Sequence, residues 1–360
     1  MIACLEASKI RSPQISIIHH ERWRETTKPV GVAVIGAGYW GTKLIGEYLS
    51  IERSKGNVKL IKIFDPSPSA LLKCERRFSL SQNRMSTNLE DLLTDPKITA
   101  IHIATPNPTH YALAKLAMEA GKGVLVEKPM TLNSSEAYDL VDIAASQGVV
   151  LQVGHVYRFN SGLQKARELL RDGVVGKLFY VRIQWTDSAL FPERDIIFDL
   201  GPHPVDILNL LLNDWPDRVT GFARGFRNSP THEEVAYAVA EFPQRVFAHI
   251  ELSWLHPKKT REVTVVGSEA TLVIDCPEQR LTRFSDGNSR HIPVSVNNTI
   301  ESEISHFADC VAQGSISEES GLIGARTVEI LEGIRHSMQE RLFSVPLEAY
   351  PSAGFELQSV

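Results

Sequence analysis

The sequence lacks the features of a secreted, membrane-spanning or nucleic-acid-binding protein. Its 360 residues include only four cysteines, with no CxxC pair, zinc-finger spacing or Cys/His/Glu cluster typical of a metal site. No apolar run approaches the roughly 18 residues of a transmembrane helix. The net charge of −5 gives no positive field for nucleic acid or an anionic membrane. We therefore expect a cytoplasmic protein with reduced thiols, no metal, and no nucleic-acid or membrane partner.

The composition is that of a globular protein of one or two domains. Hydrophobic residues make up 43% of the chain and charged residues 22%, which excludes a disordered or collagen-like protein. Residues 1–29 mix basic and acidic side chains and have no apolar core long enough for a signal peptide. They form either a frayed leader or an arm that packs on a partner subunit.

Short apolar runs alternate with helical patterns from residue 30 to residue 154, as expected of buried parallel strands joined by helices. The apolar runs are 31–35, 60–64, 100–104, 123–126 and 149–153. The best specified helix covers 134–147, because Asn133 is positioned to cap its first turn and Gly148 to end its last. The alternation predicts an α/β domain with a doubly wound parallel sheet, the Rossmann fold.

The pattern changes at about residue 155. Apolar and polar side chains alternate along 179–186 and 246–254, which predicts strands with one buried face, and 263–274 is typical of a hairpin. Helices are predicted over 160–172, 300–313 and 321–340. Residues 155–345 are thus expected to form an α+β domain with a large, open, mostly antiparallel sheet, followed by a tail, 346–360.

A glycine-rich turn lies between the first predicted strand and the helix after it. Gly36, Gly38 and Gly41 form a GxGxxG pattern, and Asp65 ends the second strand. In a dinucleotide-binding turn, the first glycine permits the tight turn, the second admits the pyrophosphate, and the third lets helix and strand pack closely. The helix N-terminus attracts the phosphates. Asp65 would accept the ribose hydroxyls and repel a 2′-phosphate, so NAD is favoured over NADP.

Two further motifs follow predicted strands. Thr105, Asn107 and His110 come after the strand at 100–104, in a segment that is also suited to cap the next helix. Glu127 and Lys128 follow the strand at 123–126. Ligands of an open α/β sheet bind outside the carboxyl ends of its strands. The predicted cofactor-binding set is Gly36, Gly38, Tyr39, Trp40, Gly41, Asp65, Thr105, Asn107, His110, Glu127 and Lys128.

A fourth motif, DLGPHPVD, starts at Asp199 and leads into an apolar stripe typical of a helix that begins near Pro204. His203 lies at the start of this helix, four residues after Asp199. A carboxylate beside an imidazole orients it and tunes its charge, as general base catalysis requires. The histidine is either a structural residue or a catalytic base.

These four motifs, in this order, resemble those of the Gfo/Idh/MocA family of glucose–fructose oxidoreductase, inositol dehydrogenase and rhizopine-catabolism proteins. The resemblance covers about residues 30–345. It implies hydride transfer between a sugar hydroxyl carbon and a nicotinamide, and a homodimer or homotetramer formed through the open sheet. It also implies that Lys128 is the catalytic lysine, His203 the acid/base and Asp199 its neighbouring carboxylate.

The segment from Val153 to Asn160 looks like the corresponding stretch of family members that act on sugars, including sugar-nucleotide 3-dehydrogenases. The resemblance implies that Tyr157 and Arg158 join Lys128, Asp199 and His203 on the substrate side. The favoured function is NAD-dependent oxidation of a secondary sugar hydroxyl, such as C3 of a UDP-N-acetyl sugar. The alternatives are a free-sugar or inositol dehydrogenase, a keto-sugar reductase, and an NAD-binding sensor without turnover.

Substrate specificity is expected to depend on the face of the open sheet and on the loop at 190–197. Arg158, Arg182 and Arg194 are candidates to hold a phosphate or a carboxylate of the substrate. The alternative for each is an ordinary surface ion pair, which is the commoner role of an arginine.

Overall fold

The computed structural model describes residues 28–188, 194–227, 233–243, 245–315 and 320–340, together with the backbone of 345–346. The predicted leader or arm, except its last two residues, lies outside this range. The same holds for Cys4, for residues 190–193 of the predicted specificity loop, and for the tail after residue 346.

Six parallel strands, with helices between them, form the first sheet. The strands are β1 (Val30–Ile35), β2 (Val58–Phe64), β3 (Met85–Ser86), β4 (Ala100–Ile103), β5 (Gly123–Val126) and β6 (Leu151–Val153). The helices are α1 (Tyr39–Ser54), α2 (Pro68–Phe78), α3 (Glu90–Leu93), α4 (His110–Glu119) and α5 (Ser134–Gln147). The spatial order β3-β2-β1-β4-β5-β6 confirms the predicted doubly wound sheet. Of these six strands, β3 was not predicted, because two residues at a sheet edge are too few to show a pattern.

The helix α5 shows how closely local signals set the boundaries of an element. The Asn133 side chain accepts a hydrogen bond from the backbone amide of Glu136 at 2.9 Å, and Gly148 ends the helix with φ of +64°. These are the two caps that the sequence predicts.

Nine strands form the second sheet. They are β7 (Leu178–Thr186), β8 (Arg218–Arg224), β9 (Val235–Glu241), β10 (Phe247–Ser253), β11 (Thr260–Gly267), β12 (Thr271–Asp275), β13 (Arg280–Ser285), β14 (Asn288–Ile292) and β15 (Val345–Pro346). Their order is β14-β13-β12-β11-β7-β10-β9-β8-β15. Only β7 and β10 pair in parallel, so the prediction of a mostly antiparallel sheet is confirmed.

Helices cover one face of the second sheet, and no element of the described residues covers the other face. They are α6 (Ser161–Arg171), α7 (Ile196–Leu200), α8 (Pro202–Leu212) and α10 (Gly321–Glu340). The helix α10 also reaches the first sheet, where the Tyr138 hydroxyl donates to the Glu329 carboxylate at 2.6 Å. The two halves therefore share a continuous packed interface.

The last part of the chain returns to the first sheet. In the helix α9 (Thr299–Gln313), Ile304 and Phe307 are fully buried in the same apolar cluster as Val34 of β1 and Leu44 of α1. A division of the chain at residue 155 therefore assigns α9 to the second domain although it packs on the first. The apolar periodicity predicts the helix α9 but does not indicate which sheet it packs on.

Within the described residues, no helix has the length and apolar character needed to cross a bilayer. Cys74, Cys276 and Cys310 are buried thiols.

Candidate active site

The glycine-rich turn leaves one side open at the carboxyl end of β1. Gly36 has φ of +103°, and a Cβ there would lie 2.5 Å from the carbonyl oxygen of Ala104. A Cβ on Gly41 would lie 2.0 Å from the carbonyl oxygen of Gly36, whereas one on Gly38 would meet nothing within 4 Å. Packing therefore requires the first and third glycines, and the second leaves space for a ligand to approach the backbone.

Asp65 braces this turn. Its Oδ2 accepts a hydrogen bond from the Ala37 amide at 2.8 Å, and its Oδ1 accepts from the Ser67 amide at 2.8 Å. Helix α1 begins directly after the turn with no side-chain cap, and Tyr39 in its first turn is 93% exposed. Open space at Gly38, an uncapped helix N-terminus and a carboxylate at the end of β2 together fit a dinucleotide.

The segment after β4 divides into exposed and buried parts. Thr105 and Asn107 are partly exposed, and the Thr105 hydroxyl lies 2.7 Å from that of Thr109. His110 is fully buried. Its Nδ1 lies 2.9 Å from the carbonyl oxygen of Pro129 and its Nε2 2.9 Å from that of Thr105. His110 therefore links the loop after β4 to the loop after β5, instead of making the expected contact with the cofactor.

A buried polar chain, which the sequence analysis did not identify, anchors Glu127. Its Oε1 accepts from Trp40 Nε1 at 2.6 Å and lies 3.4 Å from His102 Nε2. His102 Nδ1 lies 3.1 Å from the hydroxyl of Tyr48. Burial raises the pKa of Glu127, but His102, Trp40 and the charge of Lys128 together lower it below its ordinary value. The ionised carboxylate thus ties the glycine-rich turn to the end of β5.

Lys128 reaches across to the second half of the chain. Its Nζ donates to the backbone carbonyl oxygen of Asp199 at 2.9 Å and lies 3.9 Å from Asp199 Oδ1. The same carboxylate oxygen lies 3.3 Å from Arg194. Burial, together with the charges of Arg194 and Arg261, lowers the pKa of Lys128 even though Asp199 and Glu127 oppose the shift.

His203 is packed among aromatic rings at the start of α8. Its ring centre lies 4.9 Å from that of Tyr157 and 5.8 Å from that of Trp185. Burial, and then the charges of Lys128, His155 and Arg261, hold the pKa of His203 well below its usual 6.5. The imidazole is therefore neutral at neutral pH, the form in which it accepts a proton.

The expected contact between Asp199 and His203 does not form. Lys128 and Arg194 hold the Asp199 carboxylate, and the buried Nδ1 of His203 has no hydrogen-bond partner among the described residues. A spacing of four residues before a helix leaves open which neighbour the carboxylate faces. Here it is attracted by Lys128 at the end of β5 and by Arg194, five residues before it.

The arginines also differ from expectation. Arg158 is buried, with Nε 2.5 Å from Asp206 Oδ1 and Nη2 2.5 Å from Asn209 Oδ1, so it fixes α8 rather than the substrate. Arg182 lies on the exposed face of the second sheet, 3.9 Å from Glu262. Only Arg194, of the three candidates, lies beside the crevice residues.

Arg261 lies at the site and was missed. Its side chain stacks over Trp185, with Cζ 5.1 Å from the ring centre. The signal was present in β11, where Arg261 occupies the buried side of the alternation shared with Val263 and Val265. A charged residue at such a position is costly unless it is paired, and therefore marks a candidate functional site.

Family models match both halves of the chain. Residues 30–155 match the oxidoreductase family with an NAD-binding Rossmann fold, and residues 163–273 match the GFO/IDH/MocA C-terminal domain. The chain belongs to the Gfo/Idh/MocA family. It is therefore an oxidoreductase whose first half binds NAD, and the crevice described above is its candidate active site.

The chain is also similar to individual family members. It is 35% identical to the uncharacterized oxidoreductase YdgJ of Escherichia coli over 53% of this chain and 58% of that protein. It is 29% identical to the NAD-dependent scyllo-inositol 2-dehydrogenase of Bacillus subtilis over 79% of this chain and 87% of that protein. The solved UDP-N-acetylglucosamine 3-dehydrogenase GnnA of Acidithiobacillus ferrooxidans shares the fold, with a TM-score of 0.77, 22% identity, and coverage of 87% of this chain and 98% of that one.

The glycines of the turn allow packing and cofactor binding to be separated. Gly41→Ala places a methyl group against the Gly36 carbonyl and should lower the free energy of unfolding by about 1–3 kcal/mol. Gly38→Ala has room and an ordinary φ of −70°, so we expect unchanged thermal stability but at least tenfold weaker NADH binding, measured by fluorescence titration. Equal effects of the two substitutions on stability would contradict this division.

Proposed function

We propose that this protein is an NAD-dependent dehydrogenase acting on a secondary hydroxyl of a sugar or polyol, with a nucleotide-linked N-acetyl sugar oxidised at C3 as the favoured substrate. The observation that carries the proposal is the placement of a partly buried ammonium, Lys128, on the backbone of Asp199 at 2.9 Å, four residues before the buried imidazole of His203. The charge of Lys128 helps to lower the pKa of His203. The names of the inositol and UDP-N-acetylglucosamine dehydrogenases support the substrate class.

The two groups divide the proton chemistry between them. NAD, when bound, supplies the hydride acceptor at its nicotinamide. His203 takes the proton of the substrate hydroxyl as general base, while the Lys128 ammonium orients that hydroxyl and stabilises the developing negative charge on its oxygen. Asp199 keeps the ammonium in place through its backbone carbonyl oxygen.

The same groups serve the reverse reaction, in which His203 in its protonated form delivers a proton to the oxygen of a reduced ketone. A keto-sugar reductase therefore uses the same site, and cofactor ratios decide the direction. A sensor without turnover would have no use for a proton acceptor held neutral beside an ammonium, so these two residues favour an enzyme.

Removal of either group should stop turnover without loss of the cofactor. We expect Lys128→Ala and His203→Ala each to lower kcat by about 10²–10⁴ and to leave NADH affinity within a few-fold of wild type. Lys165→Ala and His291→Ala, at exposed positions outside the crevice, are the matched controls. The measurement is NADH absorbance with a panel of sugars, inositols and UDP-sugars.

Full activity in either variant would refute the assigned roles. A wild-type protein that binds NADH but shows no absorbance change with any member of the panel would favour the sensor.

The pH profile tests the protonation states. Since the pKa of His203 lies below its usual 6.5, kcat/KM should decline only at pH values well under 6.5, where the base becomes protonated. Since the pKa of Lys128 lies below 10.5, the decline at high pH should begin before that value is reached, as the ammonium loses its proton. An acidic limb centred at or above 6.5 would show that His203 is not the base.

We also propose that a second copy of this chain covers the exposed face of the second sheet. Phe222 of β8 and Tyr237 of β9 face each other in register and are 62% and 50% exposed. On β7 and β10, the rings of Tyr180 and Phe247 stack at 5.5 Å. A sheet face that carries two exposed pairs of aromatic rings is typical of an interface.

The oligomeric state tests this surface. Wild-type protein should elute as a dimer or tetramer in size-exclusion chromatography with light scattering, and Phe222→Asp combined with Tyr237→Asp should shift it toward the monomer, because burying unpaired carboxylates in an interface is costly. Leu116→Asp, on an exposed apolar residue of α4, is the control. A monomeric wild-type protein would contradict the proposal.

A further inference from the structure

The crevice carries more positive than negative charge. On one side, the Asp199 carboxylate is shared by two cations, with Lys128 Nζ at 3.9 Å and Arg194 at 3.3 Å. One carboxylate compensates one of these charges. The buried Glu127 carboxylate behind Lys128 compensates the other.

On the other side of the crevice, two cations again share one carboxylate, but no further carboxylate of the described residues compensates the second cation. Asp187 is shared by Arg261, with Nη2 at 3.3 Å, and by Lys259, with Nζ at 3.8 Å. Lys259 is largely exposed, so water solvates its charge, whereas the Arg261 side chain is only 7% exposed. The least hydrated cation of the group is therefore the one with an incomplete counter-charge.

Some N–H groups of the Arg261 guanidinium have no acceptor among the described residues. Its Nη1 donates to the backbone carbonyl oxygens of Thr186 and Thr260, and its Nη2 donates once, to Asp187. Among the described residues, Nε–H and the second Nη2 hydrogen have no acceptor. These two donors form one edge of the planar guanidinium, the edge that binds a carboxylate or a phosphate through two parallel hydrogen bonds.

The position of Arg261 connects this edge to the reacting groups. Its guanidinium lies over the ring of Trp185, and the centre of the same ring lies 4.7 Å from that of Tyr157 and 5.8 Å from that of His203. Trp185 thus contacts both the guanidinium and the proposed base, which places Arg261 one side chain away from the reacting groups.

We propose that Arg261 is a specificity residue that binds an anionic oxygen pair of the substrate, from either the carboxylate of a sugar acid or the diphosphate of a nucleotide sugar. This inference rests on the proposed dehydrogenase function and narrows its substrate class to anions. Arg158 and Arg182 do not compete for this role, because one is bound to Asp206 and the other lies on the exposed sheet face.

Substrates matched except for charge test the inference. We would compare UDP-N-acetylglucosamine with its uronic acid, and glucose with glucuronate, in wild type, Arg261→Gln and Arg261→Lys. Arg182→Gln, which removes the same charge from a neighbouring strand outside the crevice, is the control. We expect wild type to prefer anionic substrates and Arg261→Gln to lower kcat/KM for them by about 30-fold or more, with little change for glucose and for NADH affinity.

The pattern of preference identifies the anion. If the sugar carboxylate binds Arg261, both uronates will exceed the partners that lack the carboxylate; if the diphosphate binds, both UDP-sugars will exceed both free sugars. Arg261→Lys retains the positive charge beside Asp187 and serves as the second variant if Arg261→Gln fails to fold. It should still lose the preference, since a point charge cannot form the parallel pair of hydrogen bonds.

Two results would overturn the inference while leaving the dehydrogenase proposal intact: neutral free sugars used as well as the anionic ones, or an equal loss for neutral and anionic substrates in both Arg261 variants. Absence of turnover with every compound would instead count against the dehydrogenase proposal itself.

Discussion

The hydrogen bond from Lys128 to the backbone of Asp199 spans the crevice between the two halves of the molecule. Lys128 belongs to the end of β5 in the first sheet, and Asp199 to α7, which packs on the second. The cofactor-binding turn depends on one side of this contact and the histidine and aromatic residues on the other. The interface that α10 forms with both halves sets their relative position, and the ammonium group links the two sides at the crevice itself.

The ammonium is held by a polar chain that extends deep into the first sheet. Tyr48, His102 and Glu127 follow one another from the interior to the end of β5, and Trp40 adds a link to the glycine-rich turn. A buried ionised carboxylate is costly unless it is hydrogen-bonded, so each member of the chain limits the positions that Glu127 and its neighbour Lys128 adopt. The turn and the lysine are in this way positioned by the same carboxylate.

Local signals predicted what depends on local structure. The caps of α5 and the steric demands of Gly36 and Gly41 are decided within a few residues or between consecutive elements, and the sequence showed them. The contacts of Asp199 with Lys128 and of Arg158 with Asp206 join segments tens of residues apart, and the sequence did not show them. Arg261 is the intermediate case, because the strand alternation marked it as buried but gave no reason for a buried cation.

Crowding of cations around a histidine has a consequence for catalysis. Lys128 and Arg261 both disfavour protonation of His203. The imidazole is therefore neutral before the reaction, and its protonated form is a stronger acid than an ordinary imidazolium. An anion bound at the edge of Arg261 would offset part of that field. Substrate binding would then make the protonated imidazole less unfavourable at the step that forms it. In this arrangement, the charge that selects the substrate also adjusts the base that acts on it.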